Sequence, residues 1–370
     1  MKKILFFVLT FLFLFGFLIN SGFTQENMIT VKMGVMPYLD YTPFVAAHEL
    51  GLDKDLGINL DLIPFPQESA GIRALVTDSI NVCEGSVNVL LTVVSQTPDL
   101  RVFLNVCQFK GFVFIGRKGQ TKTFNELMEE IKDFKIAQVK VFEQMKGKKF
   151  ILNKTSFGGM LKGALSNAGL TLDDVEIIDF ADDAKAAAAF LRGEGDYYTG
   201  SLPQEVKLLS EDEFVAVAGN EAIGPGGLWF SNAFAPEEYI NNNMDIILKL
   251  TAIHYRTMRY LKEQPEKVIP LMVDYLNKAA ATNMTVEEAM NLAKVFTDFQ
   301  TLEDSKNGVY GGKDSPSYWK KSVDHYIAEN EALGNIEKGK VKADVFVIQE
   351  EIFGKLLENE TLVNWINKDL

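Results

Sequence analysis

The chain has 370 residues, 47% hydrophobic and 24% charged, with 50 acidic against 37 basic side chains and a formal net charge of −13. That balance belongs to a folded globular protein rather than a disordered or multispanning one. Its sign disfavours nucleic acid and anionic lipid surfaces as partners, since both repel an acidic surface.

Lys2 and Lys3 precede an apolar run, 4–19, which Asn20, Ser21 and Gly22 follow. A positive start, a short greasy segment and small polar residues form a secretory signal layout, so 1–24 is expected to be a signal peptide cleaved near 22–24. The run falls just short of the roughly 17–25 residues that span a bilayer, which leaves an uncleaved anchor as the alternative. No Cys follows it. The expected location is therefore periplasmic or extracellular, without a lipid anchor. The roughly 345 remaining residues exceed the ~250–300 at which one core stops growing, so two lobes are expected.

Residues 29–36 (ITVKMGVM) alternate as a strand does, and 43–56 then carries helical spacing, with Thr42 placed to cap and Pro43 at the first position. Gly57 ends that helix. Strand 58–65, helix 69–76, strand 80–83, helix 87–94 and strand 101–107 follow, a βαβ series that predicts a parallel doubly wound sheet. A second series runs through helix 124–131, strand 149–152, helix 157–168, strand 175–179, helix 181–192 and strand 196–199. The Gly-rich stretch 219–227 and the extended 228–234 read as a return crossing. Beyond it Ile246, Leu250, Ile253, His254, Thr257 and Leu261 repeat at helical spacing, and Pro265 and Pro270 mark the next helix boundary. The layout is one lobe interrupted by the other: 29–116 plus 223–370, and 117–222.

In open parallel sheets, ligands bind outside the carboxyl ends of strands. The loops there carry Tyr38, Asp40 and Tyr41; Glu84, Gly85 and Ser86; Ser156, Phe157 and Gly158, which open a helix whose N–H groups suit an anion or acceptor; and Tyr198 and Thr199. Against a ligand role stands the plainer reading of each, a Tyr packed on core or a Ser that only caps its helix. His48, His254 and His325 lie far apart in predicted helices, so neither a metal site nor a Ser/His triad is suggested, and no catalytic residue or cofactor is assigned. Asp173/Asp174 and Asp182/Asp183 sit at helix starts, where they favour the dipole. Cys83 and Cys107 lie in apolar strand-like runs and suit either buried thiols or a bridge.

Gly34-Val35-Met36-Pro37, Pro43-Phe44-Val45-Ala46-Ala47, 80–86 (INVCEGS), 146–150 (KGKKF), 165–170 (LSNAGL), 186–196 (AAAAFLRGEGD) and 260–266 (YLKEQPE) together resemble the substrate-binding proteins of ABC importers of the nitrate/taurine/sulfonate type, related to thiamin-pyrimidine binders. The resemblance covers nearly the whole mature chain. It implies a type II periplasmic binding protein: two α/β lobes with a hinge, and a helical C-terminal extension packed on the first. It also implies a monomer that is not an enzyme and delivers a small-molecule ligand to a permease and, through it, an ATPase. Residues 134–145 look like an insertion, and Glu84 stands where the family often has a small or apolar residue. The aromatics and carboxylates suit a pyrimidine-like or other nitrogen heterocycle. The competing ligand is a sulfonate, nitrate or similar oxoanion on the helix starts at Ser86 and Ser156, near Lys154 or Lys110. A pyrimidine-synthesis enzyme and a membrane-tethered sensor are the competing functions.

Overall fold

The computed structural model describes residues 28–370 except 225, 226, 228 and 316; the expected signal segment, 1–24, lies outside the described residues. Among the described residues, eleven strands form two sheets: β1 (Ile29–Val35), β2 (Ile58–Pro64), β3 (Val82–Ser86), β4 (Leu100–Phe109), β5 (Val113–Arg117), β6 (Lys149–Leu152), β7 (Glu176–Asp179), β8 (Tyr197–Tyr198), β9 (Phe214–Gly219), β10 (Trp229–Pro236) and β11 (Thr297–Asp298). The first sheet has the order β11-β4-β10-β3-β1-β2 and the second β7-β6-β8-β5-β9.

Both sheets are mixed, which for the first corrects the parallel sheet expected from its βαβ series. β1 pairs in parallel with β2, from Ile29↔Ile58 to Val35↔Pro64, and with β3. The returning strand β10 wedges antiparallel between β3 and β4, and β5 runs antiparallel to β8 and β9. The chain changes sheet at 110–112 and again between β9 and β10. The boundary expected after residue 116 therefore falls inside β5, a strand of the second sheet.

The helix expected over 43–56 is two, Pro43–Glu49 and Leu52–Asp55. Gly51 breaks it at φ +76°, a left-handed conformation that favours glycine. Buried Asp53 holds the corner, its Oδ2 2.8 Å from His48 Nδ1 and accepting from Leu60 N–H at 2.9 Å. Pro43 opens the first piece as expected, but Thr42 does not cap it; its hydroxyl donates back to Leu39 O at 2.6 Å. The apparent insertion is a helix, Phe134–Glu143, that buries Ala137, Val141 and Phe142 in the second lobe and donates from Gln138 Nε2 to Ala222 O at 2.7 Å.

The 20-residue helix Met244–Glu263 buries Ile246, Leu250, Ile253, His254 and Thr257, in the core that backs β1, β3 and β4. Pro265 opens the next helix, Pro265–Ala279, whereas Pro270 lies inside it rather than at a boundary. The C-terminal helices lie on the first lobe: Ile348 N–H donates to Val102 O of β4 at 2.8 Å, and the Arg256 guanidinium binds the carbonyls of Trp365, Lys368 and Asp369. Cys83 and Cys107 are buried free thiols, not a bridge. No described helix is long and apolar enough to cross a membrane.

Candidate ligand cleft

On the first lobe, β1 runs out into a single 3-10 turn, Leu39–Tyr41, that points Tyr38, Asp40 and Tyr41 toward the second lobe, with the two rings 5.6 Å apart. Asp40 accepts from the Ser231 hydroxyl of β10. Tyr41 donates to Glu68 Oε1 at 2.7 Å, and Glu68 Oε2 accepts from Ser86 N–H at 3.0 Å and Ser86 Oγ at 3.1 Å. Ser86 Oγ also accepts from Val89 N–H, capping the helix Val87–Val93.

On the second lobe, Asn153 caps the helix Lys154–Ser166 by accepting from Ser156 N–H at 2.8 Å, and its amide donates across the cleft to Gln67 Oε1. This puts Ser156 and Phe157 in the first turn, facing the first lobe. Asp183, at the start of the helix Asp183–Leu191, accepts from Tyr198 OH at 2.8 Å, Ser201 N–H at 2.9 Å and the Ser201 hydroxyl. Gly200 makes that cluster possible. A Cβ there would lie 2.0 Å from the Tyr198 hydroxyl and 2.3 Å from Asp183 Oδ1.

Between the lobes an aromatic cluster forms the floor. Trp229 stacks on Phe157 at 5.8 Å and 24°, and Phe112 meets Trp229 edge-on at 4.8 Å. Above it lies a cavity of about 20 Å³, walled by Tyr38, Asp40, Tyr41 and Glu68 on one side and Ser156, Phe157, Ser201 and Leu202 on the other. That is room for about one water. Two buried polar groups at its wall, Ser156 Oγ and Trp229 Nε1, have no hydrogen-bond partner.

The electrostatics are one-sided. Asp40, Glu68, Glu84, Asp183 and Glu205 are all buried in or around the cleft, and no described Lys or Arg lines the cavity. Burial raises each of these carboxyls, Asp40 to about 6 and Glu68 to about 7, with Glu84 and Glu205 well above the usual carboxylate range and Asp183 also upward. The Tyr38 hydroxyl is raised by burial first and then by the facing Asp183 and Glu68.

The expected site residues divide into those at the cavity and those behind it. Tyr38, Asp40, Tyr41, Ser156 and Phe157 line the cavity. Glu84 is fully buried on β3 with neither oxygen partnered, and Gly85 beside it leaves room for Phe234, whose ring a Cβ would approach to 2.7 Å. Ser86 is occupied with Glu68, Tyr198 stands behind the cavity on Asp183, and Thr199 is fully buried away from the cavity with its hydroxyl unpartnered. Gly158 opens instead on a separate groove shared with Lys154 and Thr155. Lys154 and Lys110 do not reach the cavity.

The structure adds Glu68, Ser201, Leu202, Phe112 and Trp229 to the expected set, and gives Asp183 a place in the cleft beyond its helix start. Extending the search to the loops after β2 and β7 would find Glu68 and Asp183. No such rule points to Trp229 or Phe112, which come from the crossings.

Among the described residues no three His, Cys, Asp or Glu side chains converge to hold a metal. His254 is buried and pushed down to about 3 by desolvation, and burial raises both thiols. No described His or Cys lines the cavity.

The chain matches no family model and no curated protein sequence. Its fold is nevertheless shared with solved structures. The ligand-binding component of an ABC-type import system from Staphylococcus aureus, solved with zinc bound, superposes with a TM-score of 0.66 at 11% identity, over 89% of this chain and 99% of that one. The periplasmic nitrate-binding protein of Synechocystis PCC 6803 gives 0.62 at 12%, over 92% and 89%. The desulfurization enzyme DszB gives 0.61 at 12%, over 89% and 99%. This chain has the two-lobed α/β fold of the periplasmic binding proteins.

Proposed function

We propose that this protein is the extracytoplasmic solute-binding component of an ABC importer. On this reading it takes a small organic ligand bearing a protonated nitrogen, a nitrogen heterocycle being the favoured case. The observation that carries the ligand class is the cavity wall: Asp40 and Glu68 at the surface, Asp183 behind, and no described Lys or Arg lining it to pair them. A protonated ring nitrogen or amine supplies the missing charge and donors, and Tyr38, Phe157 and Trp229 supply faces for the ring. Ser156 Oγ and Trp229 Nε1 are free to donate to an acceptor on the same ligand.

An oxoanion fits less well, because it would enter beside carboxylates with neither Lys110 nor Lys154 in reach. Delivery to a permease and an ATPase is supported by the likeness to the import component from Staphylococcus aureus, and export by the signal layout of 1–24. The lobes must part to admit a heterocycle, since the cavity holds only about 20 Å³.

A thermal-shift screen against protonated heterocycles, amines, sulfonates and nitrate tests this. At a hundredfold excess over Kd, a true ligand adds about 2.7 kcal/mol. Stabilisation by oxoanions alone overturns the ligand class; turnover of any ligand overturns the binding role. Mass determination of the secreted protein's N-terminus separates a cleaved binder from a tethered sensor.

A further inference from the structure

The cleft is not the largest hollow between the lobes. Behind the crossings lies a pocket of about 450 Å³, within the range that holds small molecules. Its walls come from both lobes: Leu202, Val206 and Leu209 of the helix Leu202–Leu209 face Leu292 and Phe296 of the helix Val286–Phe296, and Phe112 forms the partition. The Lys110 N–H, donating to Phe296 O at 2.7 Å, ties that second helix to the crossing. Leu209 and Val295 at the mouth are 39% and 63% exposed.

One wall residue does not belong in an apolar pocket. Glu205 is 1% exposed and lines the hollow; only the backbone N–H groups of Val113 and Gly200 approach its carboxylate, and no described side chain donates to it. A buried acid left in that state costs free energy that a donor can recover. Lys110 and Glu221 also border the pocket, half-buried and exposed respectively.

We infer that this pocket is a second ligand site, distinct from the cleft, for a small amphipathic amine whose ammonium meets Glu205 and whose apolar body lies between the two helices. Phe112 and Leu202 line both hollows, so one layer of side chains separates the two sites. Because both lobes build the pocket, its occupant favours the lobe arrangement that forms it.

The test is calorimetric titration of the purified chain with 4-phenylbutylammonium and with 4-phenylbutanoate, which has a similar body and the opposite charge. Saturable binding of the amine only is expected, weakened at least tenfold in Glu205→Gln and abolished in Leu209→Trp, whose exposed position allows folding while the indole fills the mouth. Binding should persist in the cleft variant Asp40→Asn/Glu68→Gln. No saturable binding, equal binding of both probes, or indifference to Leu209→Trp overturns the inference. Loss of binding in the cleft variant alone places the amine in the cleft, which sinks this second site while leaving the proposed function intact.

Discussion

Tyr41 and Glu68, each 1% exposed, share a hydrogen bond of 2.7 Å from the tyrosine hydroxyl to Oε1. With Ser86 on the other oxygen, this bond fixes an acid that the sheet ends would otherwise leave mobile. In Glu68→Gln the amide nitrogen either faces the Ser86 N–H, donor against donor, or faces the Tyr41 hydroxyl, which must then turn to accept and loses its own acceptor. A loss of about 1–3 kcal/mol is expected in urea unfolding, with weaker ligand binding. Tyr41→Phe should lose less, because Ser86 still holds the carboxylate.

The same carboxyls set a pH dependence. Folding raises Glu68 from 4.5 to about 7 and Asp40 from 3.8 to about 6. Over that window the folded chain holds protons that the unfolded chain has released, so ligand-free stability should fall as pH rises from about 4.5 to 7. Glu126, Asp174 and Glu288 are shifted down and act with the opposite sign, but at lower pH. Melting temperatures between pH 5 and 7 should therefore decline, and Glu68→Gln should flatten the slope. A cationic ligand favours the ionised carboxyls, so its affinity should rise through the same interval and calorimetry in two buffers should show proton release.

Trp229 is one of three tryptophans and the only one at the cavity. Ligand binding should alter intrinsic fluorescence, and Trp229→Phe should abolish the change. That variant keeps much of the stack on Phe157 while removing the unpartnered Nε1 donor.

Gln67 accepts from Asn153 across the cleft, and Asn153 also caps its own helix. Gln67→Ala removes the bridge and spares the cap. Affinity should fall about 3- to 10-fold, the worth of one net hydrogen bond, and small-angle scattering of the liganded protein should show a larger radius of gyration.

Local patterning makes the strands from β1 to β4 and the helix opened by Pro43 readable from the residues, because alternation and turn signals are local. The break at Gly51 is hidden, since continuous helical spacing outweighs one glycine. The antiparallel course of β10 is hidden too, because strand direction depends on the path between lobes rather than on residues 229–236. In the cleft, the loop after β1 announces Tyr38 and Asp40. Phe112 and Trp229 give no signal: they meet only when residues 110–112 lie beside the start of β10, and each alone reads as an ordinary core aromatic.

The most direct test of the central claim is calorimetric titration with a matched pair, an aminomethyl-pyrimidine as its protonated amine and the corresponding pyrimidine methanesulfonate. The amine should bind with release of protons, and Asp40→Asn/Glu68→Gln should weaken it by more than tenfold. Tighter binding of the sulfonate, undiminished in that double variant, would contradict a cation-selective cleft.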